Sequence, residues 1–173
     1  MKTEKQKELV SSYLAQFDGE TCSMYLNIIM YLSGLGYNPQ KEKSGISFKH
    51  NLHNKQIAKM GTREIAGMEP MPVFSLRFSA CRGYSERFGS VVENYITKYP
   101  SRVSKCTSGD CTYCAGEPAE HVYTHEFPDG EKMHCGAYAI EIPYVTMGDI
   151  SEIKSLIEAE HKYLLKHEVG NNG

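Results

Sequence analysis

Apolar residues recur at helical spacing near both ends of the chain and at every second position in between. Over 5–17, "KQKELVSSYLAQF", Leu9, Val10, Tyr13, Leu14 and Phe17 predict an amphipathic helix. A second, more apolar helix follows over 18–36, with Asp18 as its N-cap and Gly34 or Gly36 as its stop. "SGISFKHNLHNKQIAKM", 44–60, reads as a β-hairpin in which Ile46 and Phe48 alternate with polar residues and "HNLHN" turns. The stretch 61–72, with two glycines and two prolines, reads as a loop. "VFSLRFSAC", 73–81, is the clearest strand. Phe74, Leu76, Phe78 and Ala80 share one face, and Ser75, Arg77, Ser79 and Cys81 the other.

A helix over 84–100 presents Phe88, Val91, Val92, Tyr95 and Ile96 on one side and ends at Pro100. After a cysteine-rich loop, 121–143 reads as a second hairpin with Asp129-Gly130 as a type I′ turn. The last helix, 148–167, carries an Asp149/Glu152 capping box and a stripe of Ile150, Ile153, Leu156, Ile157 and Leu164. This order predicts an α+β fold: an antiparallel sheet of hairpins with helices packed mainly on one face. The 173 residues suit a single domain, with 105–136 a metal-binding loop and hairpin inside it.

Charge narrows the partners. Nineteen Lys and Arg against twenty-one Asp and Glu give a net charge of −2, so bulk attraction to DNA or RNA is not indicated. No apolar run reaches the roughly 20 residues of a membrane span, and the charged start "MKTEKQKELV" is no secretory leader. A cytoplasmic location is the expectation, and thiols there stay reduced. A small molecule or a protein is then the expected partner.

That context gives the six cysteines their meaning. Cys106, Cys111, Cys114 and Cys135 follow the pattern C-x4-C-x2-C-x20-C. Zinc takes four ligands in a tetrahedron and favours thiolate; a C-x2-C pair grips the ion from a tight turn. Cys106 would add a third ligand from the loop entry. With the turn at Asp129-Gly130, Thr124 sits opposite Cys135 and the hairpin folds Cys135 back toward the loop. Three alternatives stay open: an iron–sulfur cluster, since plant-type ferredoxins use the same loop spacing; a Cys111/Cys114 redox dithiol; and four unligated thiols. A closed four-thiolate zinc site would be structural, and His134 or His121 could replace one thiol. Cys22 reads as a small buried hydrophobe.

The second candidate is the polar face bearing Ser75, Arg77 and Ser79. If it adjoins Cys135, Ala137, Ala139 and Glu141, then Arg77 and Glu141 flank a pocket floored by alanines and rimmed by tyrosines. Such a pocket suits a small ligand with a carboxylate or planar group. An ordinary exposed ion pair is the plainer alternative. His125 and His134 are expected opposite each other, His50 and His53 solvated beside their turn, and His161 and His167 on different faces of one helix. No nucleophile elbow, phosphate loop, zincin motif or dinucleotide fingerprint occurs, so a non-enzymatic binding or interaction domain is favoured over a redox protein.

The second half, from "YCAGEPAEHVYTHEFPDGEKMHCGAYAIEIP" to "EHKYL", resembles a group of uncharacterised proteins from anaerobic, clostridia-like bacteria. They share the cysteine-rich loop, the "PDG" hairpin, the "CG" pair and the closing helix. The resemblance implies the cysteine ligands and brings no activity with it. The first half is similar in element order to the small YdhG-like bacterial α+β domain, which carries over no site residue.

Overall fold

The computed structural model describes residues 3–64, 66–67, 70–106, 108, 111 and 117–167. Helix α1 (Glu4–Leu14) starts from a reciprocal cap between Thr3 and Gln6. Helix α2 (Gly19–Gly34) starts at Asp18, whose carboxylate accepts the Thr21 N–H at 2.7 Å. Strands β1 (Tyr37–Glu42), β2 (Gly45–His50), β3 (Gln56–Arg63) and β4 (Met71–Leu76) then pair in succession, all antiparallel. Helix α3 is Glu86–Lys98; β5 (Val122–Phe127) and β6 (Gly130–Cys135) form a separate two-stranded sheet. Strand β7 (Ile140–Ile142) returns to the main sheet beside β4, giving the order β1-β2-β3-β4-β7, and α4 (Ile150–Lys166) closes the chain. The fold is therefore α+β with antiparallel sheets, and among the described residues no helix is long and apolar enough to cross a membrane.

Register explains the core. Phe48, Ala58, Leu76 and Ile140 align across four strands, as do Ile46, Met60, Phe74 and Ile142, and all eight are buried. Tyr25 of α2 meets Phe74 edge-on at 6.3 Å, which places α2 over this face. Ile153, Leu156 and Ile157 of α4 join the same cluster. The opposite face carries Lys59, Ser75 and Glu141 in one row.

Four expectations need correction. Strand β1, "YNPQKE", is polar and holds Pro39, yet it pairs along β2. Its place at the sheet edge is where proline's missing N–H is tolerated. Strand β3 runs on to Arg63, inside the stretch read as a loop. The β5–β6 turn is Pro128-Asp129, not Asp129-Gly130: Phe127 pairs with Gly130. A type I′ turn needs positive φ at both central residues, and Asp129 does not have it; Pro128 fixes its own φ near −65° and Gly130, at φ 115°, takes up the strain after the turn. Last, 121–143 is not one hairpin. Gly136–Ala139 breaks it, so Cys135 and Glu141 belong to different sheets.

Two contacts bind the small sheet to the large one. The Tyr123 hydroxyl accepts the Phe78 N–H at 3.1 Å and donates to the Tyr138 carbonyl at 3.0 Å. Gly136 lies so close to the His121 carbonyl and the Ser79 side chain that a Cβ there would collide with both. The helix caps also differ from expectation. Asp149 accepts the Thr146 N–H at 2.8 Å and is gripped by Arg87 at 2.6 and 3.0 Å, while Glu152 accepts the Ser85 N–H at 2.6 Å at the start of α3. The two carboxylates thus tie α4 to α3 instead of capping α4 alone.

Candidate functional site

Beyond Pro100–Arg102 the chain turns to run along β6. Val103 bridges to His134, and the Ser104 N–H donates to the Met133 carbonyl at 2.8 Å. Ser104 Oγ in turn accepts the Cys106 N–H at 3.3 Å. These bonds anchor the entry of the cysteine loop on β6, whose last residue, Cys135, sits opposite Val122. The shifted turn moves the pairing of Cys135 by two residues along β5, from Thr124 to Val122. Since Val122 and Thr124 share a face, Cys135 keeps its side of the hairpin.

The Cys106 thiol interacts with the Cys111 side chain and feels the charge of Cys135. Burial pushes the Cys106 thiol up; the nearby Cys111 and Cys135 push the same way, and the Ser104 hydroxyl opposes them. All three are partly buried and unbridged. Among the described residues no group of three or more His, Cys, Asp or Glu is arranged to hold a metal ion. Cys114, the other half of the C-x2-C pair, lies outside the described residues.

The histidines separate from the thiols. His134 is 2% exposed and meets the Tyr95 ring at 5.7 Å, on the face away from Cys135. It pairs with Tyr123, and His125 with Lys132, so the expected His125–His134 pair does not form. Burial lowers the His134 pKa, and Arg102 and Lys132 lower it further. His121 is also buried, stacked at 5.8 Å on Tyr163 of α4.

The expected Arg77/Glu141 site splits in two. Ser75 and Glu141 are cross-strand partners on the polar sheet face. Their cation is Arg63, which donates to both carboxylate oxygens of Glu141 at 2.9 Å. These three residues line an open cleft of about 360 Å³ with Ala139 as part of its floor and Tyr95 and Tyr99 on its rim. Arg102 projects over the rings of Tyr99 at 4.2 Å and Tyr138 at 4.5 Å. Of the expected alanines only Ala139 lines this cleft, and its arginines are Arg63 and Arg102, not Arg77.

Arg77 and Ser79 lie elsewhere because β4 ends at Leu76. Arg77 is 6% exposed, and its Nε lies 2.5 Å from the carboxylate of Glu160 in α4. Glu160 is fully buried and also accepts the Ala80 N–H at 2.9 Å and the Ser79 hydroxyl at 3.4 Å. Burial pushes the Glu160 carboxyl up; Arg77 and the Ala80 N–H oppose the shift. Sequence reasoning passed over Glu160, although its position gives it away: it falls between Ile157 and Leu164 on the apolar stripe of α4. A carboxylate on a buried stripe requires a cation, and Arg77 supplies it.

His50 and His53 are not solvated bystanders. His50 is 7% exposed, and the two rings stack with centroids 4.2 Å apart. His50 Nδ1 accepts the Leu52 N–H at 3.3 Å and His53 Nδ1 the Lys55 N–H at 3.1 Å, so each imidazole braces the turn two residues on. The His50 Nε2–H donates to the Leu35 carbonyl at 3.1 Å. His161 reaches the Tyr37 hydroxyl at 3.3 Å and meets the His50 ring at 5.5 Å.

Comparison with family models, with curated proteins and with solved structures finds no match to the chain.

Proposed function

We propose that the chain is a non-enzymatic small-ligand-binding or interaction domain whose 105–136 segment is held by a structural zinc ion on Cys106, Cys111, Cys114 and Cys135. The observation that carries the zinc reading is the C-x4-C-x2-C-x20-C spacing, supported by the side-chain interaction of Cys106 with Cys111 and by the influence of Cys135 on the Cys106 thiol. Zinc bound there would contribute on the order of 10 kcal/mol to the order of the segment and, with four thiolates, would leave no open position for catalysis. The small ligand belongs in the cleft between the sheet face and α3, where Arg63, Glu141 and two tyrosines offer a charged and aromatic surface to a carboxylate or planar group.

Metal analysis with an absorption spectrum tests the centre. Colourless protein with one zinc per chain, and loss of that zinc in Cys135→Ser, is the expected result. Brown protein with iron and acid-labile sulfide would overturn it in favour of an electron carrier on the same cysteines. Metal-free protein would overturn both.

A further inference from the structure

The cleft between the polar sheet face and α3 is unevenly charged. Among its described lining residues Arg63, Lys98 and Arg102 stand against a single acid, Glu141, in a chain whose net charge is −2. A concave surface with a local surplus of positive charge concentrates anions. None of these four side chains is buried, so a molecule in the cleft can reach them all.

The cations occupy two stations. Arg87, in the first turn of α3, donates to the Pro143 carbonyl at 2.9 Å, whereas Arg102, just past the end of that helix, lies over the Tyr138 ring at 4.5 Å. Strand β7 therefore runs back along α3, and Glu141 with its partner Arg63 stands apart from Arg102. At the Arg102 station the guanidinium rests against the Tyr99 ring at 4.2 Å, and Lys98 lies 5.4 Å from the same ring. Neither Lys98 nor Arg102 has a carboxylate partner among the described residues. Arg102 also acts on the Tyr95 hydroxyl, but a guanidinium has five N–H donors, and those remaining can take a carboxylate. At the other station Arg63 gives Glu141 only Nη2, and the two side chains are 47% and 38% exposed, which makes a weakly held pair.

We propose that this cleft binds a small dicarboxylic acid, with one carboxylate on Arg102 and Lys98 and the other on Arg63 in place of Glu141. The inference rests on the reading of the cleft as the ligand site and decides between the groups which that reading allows. Tyr99 and Tyr138 are engaged by Arg102, so the rings serve to fix the guanidinium and not to stack on a flat ligand. A single carboxylate would leave one station unmet, whereas two match the lining's surplus of positive charge. Glu141 is already exposed, so it moves into water at little cost. Ser75 and Asn94 add neutral polar groups to the lining, and the body of the acid meets no further charge.

The test is calorimetric titration of the full chain, at constant ionic strength, with succinate, glutarate and adipate and with hexanoate, benzoate and sulfate as controls. One of the diacids is expected to bind at least about tenfold more tightly than hexanoate. Arg63→Gln should bring that diacid down to the affinity of hexanoate, and Lys98→Gln should weaken it severalfold; both side chains are exposed, and urea unfolding checks that the variants keep the fold. Arg102→Lys, which keeps the charge and removes the fork, should weaken it as well. Equal binding of hexanoate, tighter binding of benzoate, or full competition by sulfate overturns the diacid and leaves the cleft as a ligand site. Diacid binding that survives Lys98→Gln and Arg102→Lys unchanged overturns the assigned anchor. If none of the organic acids binds at millimolar concentration, the reading of the cleft as the ligand site falls together with the inference.

Discussion

Replacing Glu160 by leucine leaves the Arg77 guanidinium in the interior without its counter-charge. At the observed 2.5 Å, two unit charges in a medium of effective dielectric about 20 attract by about 6–7 kcal/mol. Removing each ion from water costs several kcal/mol, so the intact pair adds little net stability. Breaking it is another matter, because the desolvation of Arg77 remains and the attraction does not. Glu160→Leu is therefore expected to lower the unfolding free energy by about 3–5 kcal/mol. Arg77→Met should cost a similar amount, by leaving the fully buried carboxylate alone. The double variant should recover most of the electrostatic loss but not all of it. Glu160 also accepts the Ala80 N–H, and an orphaned buried donor costs about 1–3 kcal/mol. Urea unfolding of the four proteins gives the coupling energy directly: losses of about 3–5 kcal/mol for each single variant against about 1–3 for the double leave a non-additivity of about 6 kcal/mol. If the single-variant losses add to within about 0.5 kcal/mol, Arg77 and Glu160 do not act as a pair.

Tyr123→Phe should cost about 1–3 kcal/mol in the same urea assay, since it orphans the buried Phe78 N–H while keeping the ring contacts with Phe78 and Tyr95; a change below about 0.5 kcal/mol would mean that the inter-sheet link lies elsewhere. Acid should weaken the fold before the carboxylates titrate. The His53 pKa is lowered from 6.5 to about 4, so the unfolded chain binds the proton more readily; the associated stability is complete above pH 6.5 and is lost as pH falls toward 4. At about 1.36 kcal/mol per pH unit the full drop has an upper bound of about 3.4 kcal/mol, and solvent screening of this partly buried ring reduces it to about 1–2. Burial lowers His121, His134 and His161 in the same direction and steepens the decline. Urea midpoints measured between pH 7 and 4 check this, and a His53→Asn protein whose profile keeps the wild-type slope would refute the role of His53.

The parts of the fold legible in the sequence are those written in side-chain period. All four helices, the β2–β3 hairpin and the buried alternation of Phe74 and Leu76 follow from apolar spacing, and Asp18 caps as its position predicts. The parts that escaped depend on pairing, which spacing does not encode. Strand β1 carries an apolar residue only at its start and is held by β2. Strand β7 is three residues long and becomes a strand because β4 offers it an edge. The β5–β6 turn was misplaced because Asp-Gly outweighed the Pro128 before it, although a proline-fixed φ favours the type I position.

The candidate sites follow the same division. The cysteine pattern was visible in the sequence because metal-ligand chemistry demands particular residues at particular intervals, and among the described residues no group is arranged to hold a metal. Arg63 was missed because it sits in a stretch whose glycines and prolines read as loop, and only the β3–β4 register brings it beside Glu141. Arg77 was expected to flank a ligand pocket with Glu141, but it is buried against Glu160 instead. Its true partner lies 83 positions away on a helix, where the one visible cue is an acid on an apolar stripe. Two arginines stand where one was expected. Arg63 is exposed, with one nitrogen donating to both oxygens of Glu141 at the edge of a cleft; on the proposed reading it would exchange that carboxylate for a ligand's at little cost. Arg77, buried against Glu160, has no such freedom: leaving its partner would strand a charge in the interior and open the joint between the segment after β4 and α4.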